Sequence, residues 1–177
     1  MTSPETNNPY RFRIEPLGPH HERASFSCGV PALDTYLHQR AGQDVRRFVA
    51  APFVLCEGEA ATVLGYYTLS SLSIDLEAFP EQTARKFGRY PEIPAILIGR
   101  FAVDQRWHGH RLGQRLLLNA LRRSWRQTTE IAAAAVIVDS KNPGTSEFYK
   151  RHGFQAFDDQ PNRLFIPMKT IAQLIQR

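Results

Sequence analysis

The stretch of the chain with the clearest chemical potential runs from a strand-like segment through a glycine-bearing loop into a helix-like segment. Residues 95–103 are apolar, and from Leu112 onward the apolar residues recur at helical spacing. Gly109 and Gly113 would let the backbone approach a ligand closely. The first N–H groups of a helix have no partner within it, so such a turn can hold phosphate. An ordinary turn remains the alternative, since the loop has neither a Walker nor a GxGxxG pattern.

The same part of the chain is strongly basic. Residues 105–129 hold six arginines and no acidic residue, and the whole chain carries a net charge of +5. A phosphate-bearing ligand or a polyanion is electrostatically favoured there. A solvated helix face explains the last three arginines equally well. The six are Arg106, Arg111, Arg115, Arg122, Arg123 and Arg126.

A second segment could supply an acid. Asn142 and Tyr149 are about two helical turns apart, so both can lie on one face of a helix. A phenol, with a pKa of about 10, can protonate a leaving thiolate whose reference pKa is about 8.5. Alternatively, Asn142 only caps the helix and Tyr149 lies at the core edge. No general base stands out among the scattered carboxylates, which are Asp75, Glu77, Asp104 and Asp139.

Alternating strands and helices must position these residues. The patterns predict strands at 10–17, 51–56, 62–69, 95–103, 132–139 and 163–168. They predict helices at 31–43, 81–87, 112–125 and 143–151. The last helix has Asn142 as its N-cap, Pro143 at its first position and Gly153 after its end. This order predicts an α/β architecture, a mixed sheet with helices on both faces.

Bulk composition indicates one folded domain. The chain has 177 residues, 42% of them hydrophobic, and we expect a disordered lead at 1–9 and a single domain at 10–177. Its apolar runs are far shorter than the roughly 20 residues of a membrane span, and the N-terminus has no secretory-signal pattern. Cys28 and Cys56 have no metal-ligand spacing. We therefore expect free thiols, no metal, no membrane contact and a cytoplasmic location.

Both segments that could do chemistry resemble the coenzyme A site of the GCN5-related N-acetyltransferases (GNAT). The loop His108-Gly109-His110-Arg111-Leu112-Gly113 resembles that family's Q/R-x-x-G-x-G/A motif, with His108 replacing Gln/Arg and Arg111 replacing the first glycine. The run N-P-x-x-x-x-F-Y-x-x-x-G-F from Asn142 resembles the helix beside the thioester. The resemblance implies the GNAT fold, with a central twisted, mostly antiparallel mixed sheet, and acetyl-coenzyme A as co-substrate.

The GNAT resemblance also implies residue roles. Tyr149 would be the general acid toward the departing thiolate. Arg111, standing where glycine is usual, must keep a backbone conformation that glycine tolerates more easily. The implied cofactor-binding residues are Phe101, Ala102 and Val103 through their main chain, then His108, Gly109, His110, Arg111, Leu112 and Gly113, and finally Asn142 and Phe148.

A further resemblance lies nearer the N-terminus. Phe26–Leu37 resembles the F-x-C-G-x-x-x-L-[DN]-x-[YF]-L opening of the acetyltransferase toxins of type II toxin–antitoxin modules, and 65–70 and 93–104 fit the same group. A capped amphipathic helix would explain this opening except for its Cys28-Gly29 pair. The group implies acetyl transfer to the α-amino group of aminoacyl-tRNA, which blocks translation. An α-amine, with a pKa of about 7.7–8.0, suits a site without a strong base.

The toxin resemblance implies partners as well. These are the aminoacyl-tRNA, a ribbon-helix-helix antitoxin that would make any contact with operator DNA, and a second copy in a homodimer. Exposed cations are expected to contact the tRNA phosphates. The candidates are Arg40, Arg46, Arg47, Arg85, Lys86 and Arg89. Two alternatives remain, a GNAT enzyme for a small-molecule amine or protein N-terminus, and a non-catalytic acyl-CoA-binding module.

Overall fold

The computed structural model describes residues 11–177, so the predicted lead at 1–9 lies outside the described part. The strands are β1 Phe12–Pro16, β2 Ala51–Glu57, β3 Gly65–Asp75, β4 Glu92–Val103, β5 Ala135–Asp139, β6 Gln155–Ala156 and β7 Arg163–Pro167. The α-helices are α1 Pro31–Thr35, α2 Ala41–Arg47, α3 Glu81–Phe87, α4 Leu112–Gln127, α5 Pro143–Arg151 and α6 Met168–Ile175. A π-helical turn lies at Tyr36–Arg40, and 3₁₀ turns lie at Leu76–Ala78 and Gln105–Trp107.

The seven strands form one sheet in the order β1-β2-β3-β4-β5-β7-β6. β1 and β2 pair antiparallel, and β7 pairs antiparallel with both β5 and β6. β4 and β5 pair in parallel, with Leu97 opposite Ile137. The predicted α/β class with a mixed, mostly antiparallel sheet is confirmed.

Most predicted elements form close to their predicted bounds. α3 and α5 coincide with the predicted helices 81–87 and 143–151. The predicted helix at 31–43 is instead interrupted by the π-helical turn and continues to Arg47. Four short features were not predicted, namely β6, α6 and the two 3₁₀ turns. Within residues 11–177 no helix is both long and apolar enough to cross a membrane.

Backbone packing divides the described chain into two compact units. The first takes in the residues up to Thr68 together with Arg100–Leu117, and the second takes in Leu69–Gly99 together with Leu118–Arg177. Each unit has its own apolar core. That of the first contains Phe26, Cys28, Tyr36, Leu37, Val54, Cys56, Tyr66 and Ala102. That of the second contains Ile93, Ile137, Phe79, Phe157 and Phe165. The single domain over 10–177 stays a prediction.

Both cysteines are free and buried within the first core, as the sequence predicts. Gly65, at the start of β3, shows how tightly this unit is packed. A Cβ added at Gly65 would lie 2.8 Å from Leu116 Cδ1 and 3.2 Å from the Ala102 carbonyl oxygen. Glycine is therefore needed there so that β3 can approach the strand and helix on either side of the candidate phosphate loop.

Candidate active site

The predicted phosphate loop connects β4 to α4. Gly109 has a φ of 84° and Arg111 a φ of 60°, so the chain turns through two left-handed residues before the helix. The Arg115 N–H donates to the Arg111 carbonyl oxygen at 3.2 Å, which starts the helical hydrogen bonding of α4. The N–H groups of 112–114 consequently have no acceptor within the helix and point out of its N-terminus. This geometry suits an anion, as the loop sequence predicts.

Two effects make Arg111 unfavourable at this position in the free protein. A residue with a Cβ is disfavoured by about 1–2 kcal/mol in the left-handed conformation. Its exposed guanidinium is also attached at the positive end of the α4 dipole. A bound anion would offset the unfavourable charge–dipole interaction, because it would lie between the Arg111 guanidinium and the N-terminus of α4. The predicted backbone conformation of Arg111 is confirmed.

His108 contributes to the shape of the loop itself. Its Nε2 lies 3.0 Å from the Val103 carbonyl oxygen, so the ring donates to the end of β4. His110 packs against Trp107, with ring centroids 5.3 Å apart, and Trp107 in turn meets Phe12 edge to face at 5.7 Å. The exposed histidine at the position of the family's Gln or Arg therefore ties the loop to the end of β4.

Asp104 anchors the loop and is completely buried. Its carboxylate accepts hydrogen bonds from the Ser27 N–H at 3.1 Å, from the Arg106 N–H at 2.9 Å, and from the Arg106 guanidinium at 3.0 Å. Burial raises the pKa of Asp104, but the hydrogen bonds from Arg106 and Ser27 outweigh burial and bring it below its usual range. Arg106 is thus paired with Asp104, whose negative charge offsets that of its guanidinium.

The Cys28-Gly29 pair of the toxin-like opening has a structural explanation. The Cys28 N–H donates to the Asp34 carboxylate at 2.8 Å, and Gly29 has a φ of 89°. Val30 is then the N-cap of α1 and Pro31 its first residue. Burial raises the pKa of the Cys28 thiol to about 11, so it is protonated at neutral pH and is no nucleophile. The motif builds the turn that starts α1.

The π-helical turn after α1 places a polar group that sequence reasoning missed. The Tyr36 hydroxyl donates to Asp44 at 2.8 Å, and the Arg100 guanidinium lies 3.8 Å from the centroid of the Tyr36 ring. The Arg100 N–H donates to Thr68 Oγ1 at 3.0 Å. Burial raises the pKa of Tyr36, which keeps its hydroxyl protonated. Helical periodicity gives no signal for an extra residue in a turn, so only the structure reveals this group.

The second chemically important segment, α5, lies in the other unit. Asn142 Oδ1 accepts hydrogen bonds from the Thr145 N–H at 2.9 Å and its hydroxyl at 3.0 Å, which confirms the predicted N-cap. At the other end Gly153 has a φ of 96°, and the Phe154 N–H donates to the Tyr149 carbonyl oxygen at 3.2 Å. The cap uses only the oxygen of the Asn142 amide. A contact between Asn142 and pantetheine stays a prediction.

Tyr149 is packed within α5 and the segment that follows it. Only 3% of the residue is exposed, and its ring lies 5.3 Å from those of Phe148 and Phe154. Burial raises the pKa of Tyr149 well above its ordinary value. The phenol therefore carries its proton throughout the neutral range, as a general acid must. Phe148 is half-buried and also contacts the His152 ring at 4.8 Å.

The six predicted tRNA-binding cations are all exposed and fall into two groups of three. Arg40, Arg46 and Arg47 follow one another along the π-helical turn and α2. Arg85, Lys86 and Arg89 lie at the end of α3, where Arg85 pairs with Glu81 one turn earlier. The ion pair offsets part of the positive charge near α3, so the group on the π-helical turn and α2 is better suited to contact phosphates.

Three potential metal-ligand residues also meet after β1. Glu15, His20 and His21 bring one ligand atom each within 4.8 Å of the others. The Gly18 N–H donates to His21 Nδ1 at 2.9 Å, so the proton of that ring is on Nε2, which donates to Glu15 at 2.7 Å. A protonated Nε2 cannot coordinate a metal, so this group is a hydrogen-bonded support. The hydrogen bond from His21 holds the pKa of Glu15 below its usual range.

The sequence of this scaffold matches a known family. The sequence model of the acetyltransferase (GNAT) domain matches residues 54–156. The chain belongs to the GNAT acetyltransferase family, and it is an acetyl-coenzyme A-dependent N-acetyltransferase. The predicted GNAT fold and acetyl-coenzyme A as co-substrate are both confirmed.

Comparison with known proteins shows sequence similarity to two toxins. The chain is 32% identical over 170 residues to a probable toxin, TacT, of Sinorhizobium fredii, covering 92% of this chain and 94% of that protein. It is also 32% identical over 152 residues to a tRNA-acetylating toxin of Mycobacterium tuberculosis, covering 85% of this chain and 89% of that protein.

Solved structures of a third toxin, AtaT, are also similar. AtaT complexed with acetyl-methionyl-tRNAfMet matches with a TM-score of 0.86 and 28% identity, covering 93% of this chain and 99% of that one. An AtaT mutant bound to acetyl-CoA and the C-terminus of the antitoxin AtaR matches with a TM-score of 0.81 and 25% identity, covering 94% and 99%.

Proposed function

We propose that this acetyltransferase is the toxin of a type II toxin–antitoxin system and transfers acetyl from acetyl-coenzyme A to the α-amino group of an aminoacyl-tRNA. The likeness to AtaT carries the proposal, because it extends over 93% of this chain and AtaT was solved with an acetylated aminoacyl-tRNA. An α-amine that carries an acetyl group cannot attack the next peptidyl ester. Elongation with that aminoacyl-tRNA would therefore stop.

The loop between β4 and α4 would hold the phosphate end of the co-substrate. The N–H groups of 112–114 and the Arg111 guanidinium present positive charge to a pyrophosphate. The main chain of Phe101–Val103 would bind the pantetheine arm, with its start fixed by the bond from the Arg100 N–H to Thr68. The thioester supplies an activated acetyl group to the acceptor amine.

The departing thiolate also needs a proton. Tyr149 would donate its hydroxyl proton to the thiolate that leaves when the acceptor nitrogen attacks the acetyl carbonyl. Its raised pKa keeps that proton in place until the thiolate forms. The acceptor needs no strong base, since an α-amine with a pKa of about 7.7–8.0 is partly neutral at pH 7.

Direct assay of the reaction tests the proposal. The purified protein is incubated with acetyl-coenzyme A and total aminoacyl-tRNA, the RNA is digested, and the aminoacyl-adenosines are examined by mass spectrometry. We expect one or more of them to gain an acetyl group on nitrogen. Transfer to free amino acids or peptides with no tRNA present, and none to aminoacyl-tRNA, would instead establish the small-amine or N-terminal alternative.

The toxin assignment also implies partners. We expect a ribbon-helix-helix antitoxin to neutralise the enzyme and to make the contacts with operator DNA, and we expect the enzyme to be a cytoplasmic homodimer. The complex of AtaT with AtaR supports an antitoxin of some kind. Expression without the antitoxin should arrest growth, and co-expression of the antitoxin should restore it.

A further inference from the structure

Phe48 is the most exposed of the large apolar side chains in the described range. It follows α2 directly and is 94% exposed. Its backbone is left-handed, with φ 57° and ψ 31°. Among residues 11–177 only Arg111 shares a positive φ without being glycine. A bulky aromatic residue gains nothing from such a position in the free protein, so its ring is a candidate for contact with a ligand.

The surface around Phe48 is both apolar and basic. Val45 and Val49 are exposed at 39% and 57%. Arg46 and Arg47 immediately precede Phe48 and are also exposed. Flat aromatic and cationic groups side by side are the combination that proteins use to hold unpaired nucleotides.

Two guanidinium groups converge beside the same helix. Gly42 of α2 lies between them. A Cβ placed on Gly42 would be 3.6 Å from Arg46 Nη1 and 3.7 Å from Arg23 Nη1, so the two guanidinium groups lie on either side of this glycine. Like charges at such a point repel unless an anion lies between them. The acid on α2, Asp44, accepts a hydrogen bond from the neutral Tyr36 hydroxyl and keeps its single negative charge, which leaves the arginines of this surface in excess. Arg23 is held in place by its bond to the Leu37 carbonyl oxygen at 3.0 Å.

We propose that this surface, made of Phe48 with Arg23, Arg46 and Arg47, binds the single-stranded 3′ end of an RNA acceptor. An unpaired base stacks on the Phe48 ring, while a backbone phosphate lies between the guanidinium groups of Arg23 and Arg46. The inference rests on the proposed function, which supplies the RNA. The excess of guanidinium groups beside an exposed aromatic ring favours an RNA strand, which offers both phosphates and unpaired bases.

Binding is tested first, without turnover. Phe48→Trp keeps a flat ring and adds a fluorescent reporter, and the wild type gives the background from Trp107 and Trp125. Deacylated tRNA with its unpaired 3′ nucleotides should quench the added fluorescence. The same tRNA trimmed to the paired stem should not. Equal quenching by both tRNAs, or by neither, would overturn the proposal.

Kinetics gives the second measurement. Phe48→Gly removes the ring and relieves the left-handed backbone, so Tm should rise by about 2–4 °C. Loss of one stacked base should raise KM for aminoacyl-tRNA roughly tenfold, while KM for acetyl-coenzyme A stays unchanged. Ile131→Ala, at an apolar side chain that is 74% exposed but lies outside this surface, is the matched control and should leave both constants unchanged.

The outcomes separate this inference from the function it rests on. If the wild type acetylates aminoacyl-tRNA but Phe48→Gly keeps its KM within about twofold, the function stands and the inference fails. If no aminoacyl-tRNA is acetylated, the proposed function fails and the fluorescence experiment alone decides the inference. An unchanged KM with lost neutralisation by the antitoxin would assign Phe48 to a protein contact and overturn the RNA site.

Discussion

Burial makes the phenol of Tyr149 a weaker acid than that of an exposed tyrosine. Because burial raises its pKa, the proton is retained at neutral and mildly alkaline pH, where an α-amine is largely neutral. Tyr36 is protonated for the same reason, but its hydroxyl already donates to Asp44. Of these two buried tyrosines only Tyr149 was singled out by the sequence, through the spacing from Asn142.

Removal of the Tyr149 hydroxyl should affect the chemical step alone. We expect Tyr149→Phe to lower kcat by about 10²–10⁴-fold and to leave KM for acetyl-coenzyme A within a few-fold. The wild-type kcat should show no alkaline decline from this residue below about pH 10. Steady-state kinetics between neutral and alkaline pH measures both effects. A variant that keeps full kcat would remove Tyr149 from the mechanism.

Arg111 offers a test in which stability and binding change in opposite directions. Arg111→Gly removes the cost of about 1–2 kcal/mol that a side chain has in the left-handed conformation. Glycine also makes the unfolded chain more flexible, which offsets part of this gain. We therefore expect the free energy of unfolding to rise by up to about 1 kcal/mol. It also removes a cation from the phosphate loop, so KM for acetyl-coenzyme A should rise several-fold. Thermal unfolding and titration with coenzyme A measure the two effects.

The matched control for Arg111 is Arg122→Ala. Arg122 is an exposed arginine of α4 that lies outside the loop. Its replacement removes the same charge, so it should change neither Tm nor KM for acetyl-coenzyme A appreciably. If both variants weaken binding equally, the effect is that of general charge rather than of the loop.

At the scale of elements, the loop between β4 and α4 depends on the buried carboxylate of Asp104. The pKa of Asp104 in the folded protein is below its unfolded value of about 3.9. The carboxylate therefore stabilises the fold above that pH, and this stabilisation is lost as the pH falls through the folded pKa. Asp104→Asn should cost about 1–3 kcal/mol at pH 7, and the difference from wild type should shrink below about pH 4. Urea unfolding at both pH values measures this.

Asp139→Asn is the control for the acid dependence. Asp139 forms its ion pair with Arg163 at 2.8 Å, but half of its side chain is exposed, so the change should have little effect. A constant difference between Asp104→Asn and the wild type at all pH values would show that the carboxylate charge is not what stabilises the loop.

The elements were predictable from sequence where local signals determine them. Asn142, Pro143 and Gly153 mark both ends of α5, and its bounds are as predicted. The Asp104 anchor could not be predicted, because its partner Ser27 lies 77 residues away and no local pattern links them. The π-helical turn was missed for a different reason, since Leu33, Tyr36 and Leu37 fit an uninterrupted helix equally well.

At the scale of the whole molecule, the net charge of +5 should be visible in the kinetics. Each phosphate contact releases counterions, so about three contacts give a slope of about −2.7 in log(kcat/KM) against log[salt], or a loss of about 40-fold between 50 and 200 mM salt. We expect this for aminoacyl-tRNA as the varied substrate. A shallow slope would favour an acceptor without an RNA backbone.

The buried carboxylate of Asp104 also bears on how much of the chain is needed. The family match begins at residue 54, which suggests that the preceding segment could be exchanged or omitted. Yet Asp104 accepts the Ser27 N–H, and the Gln105 N–H donates to the Ser27 carbonyl oxygen at 2.9 Å. A chain shortened to the family match would leave a buried charge short of a donor directly beside the phosphate loop. The segment that contains Ser27 is therefore part of what holds the phosphate loop in shape, although it lies outside the family match.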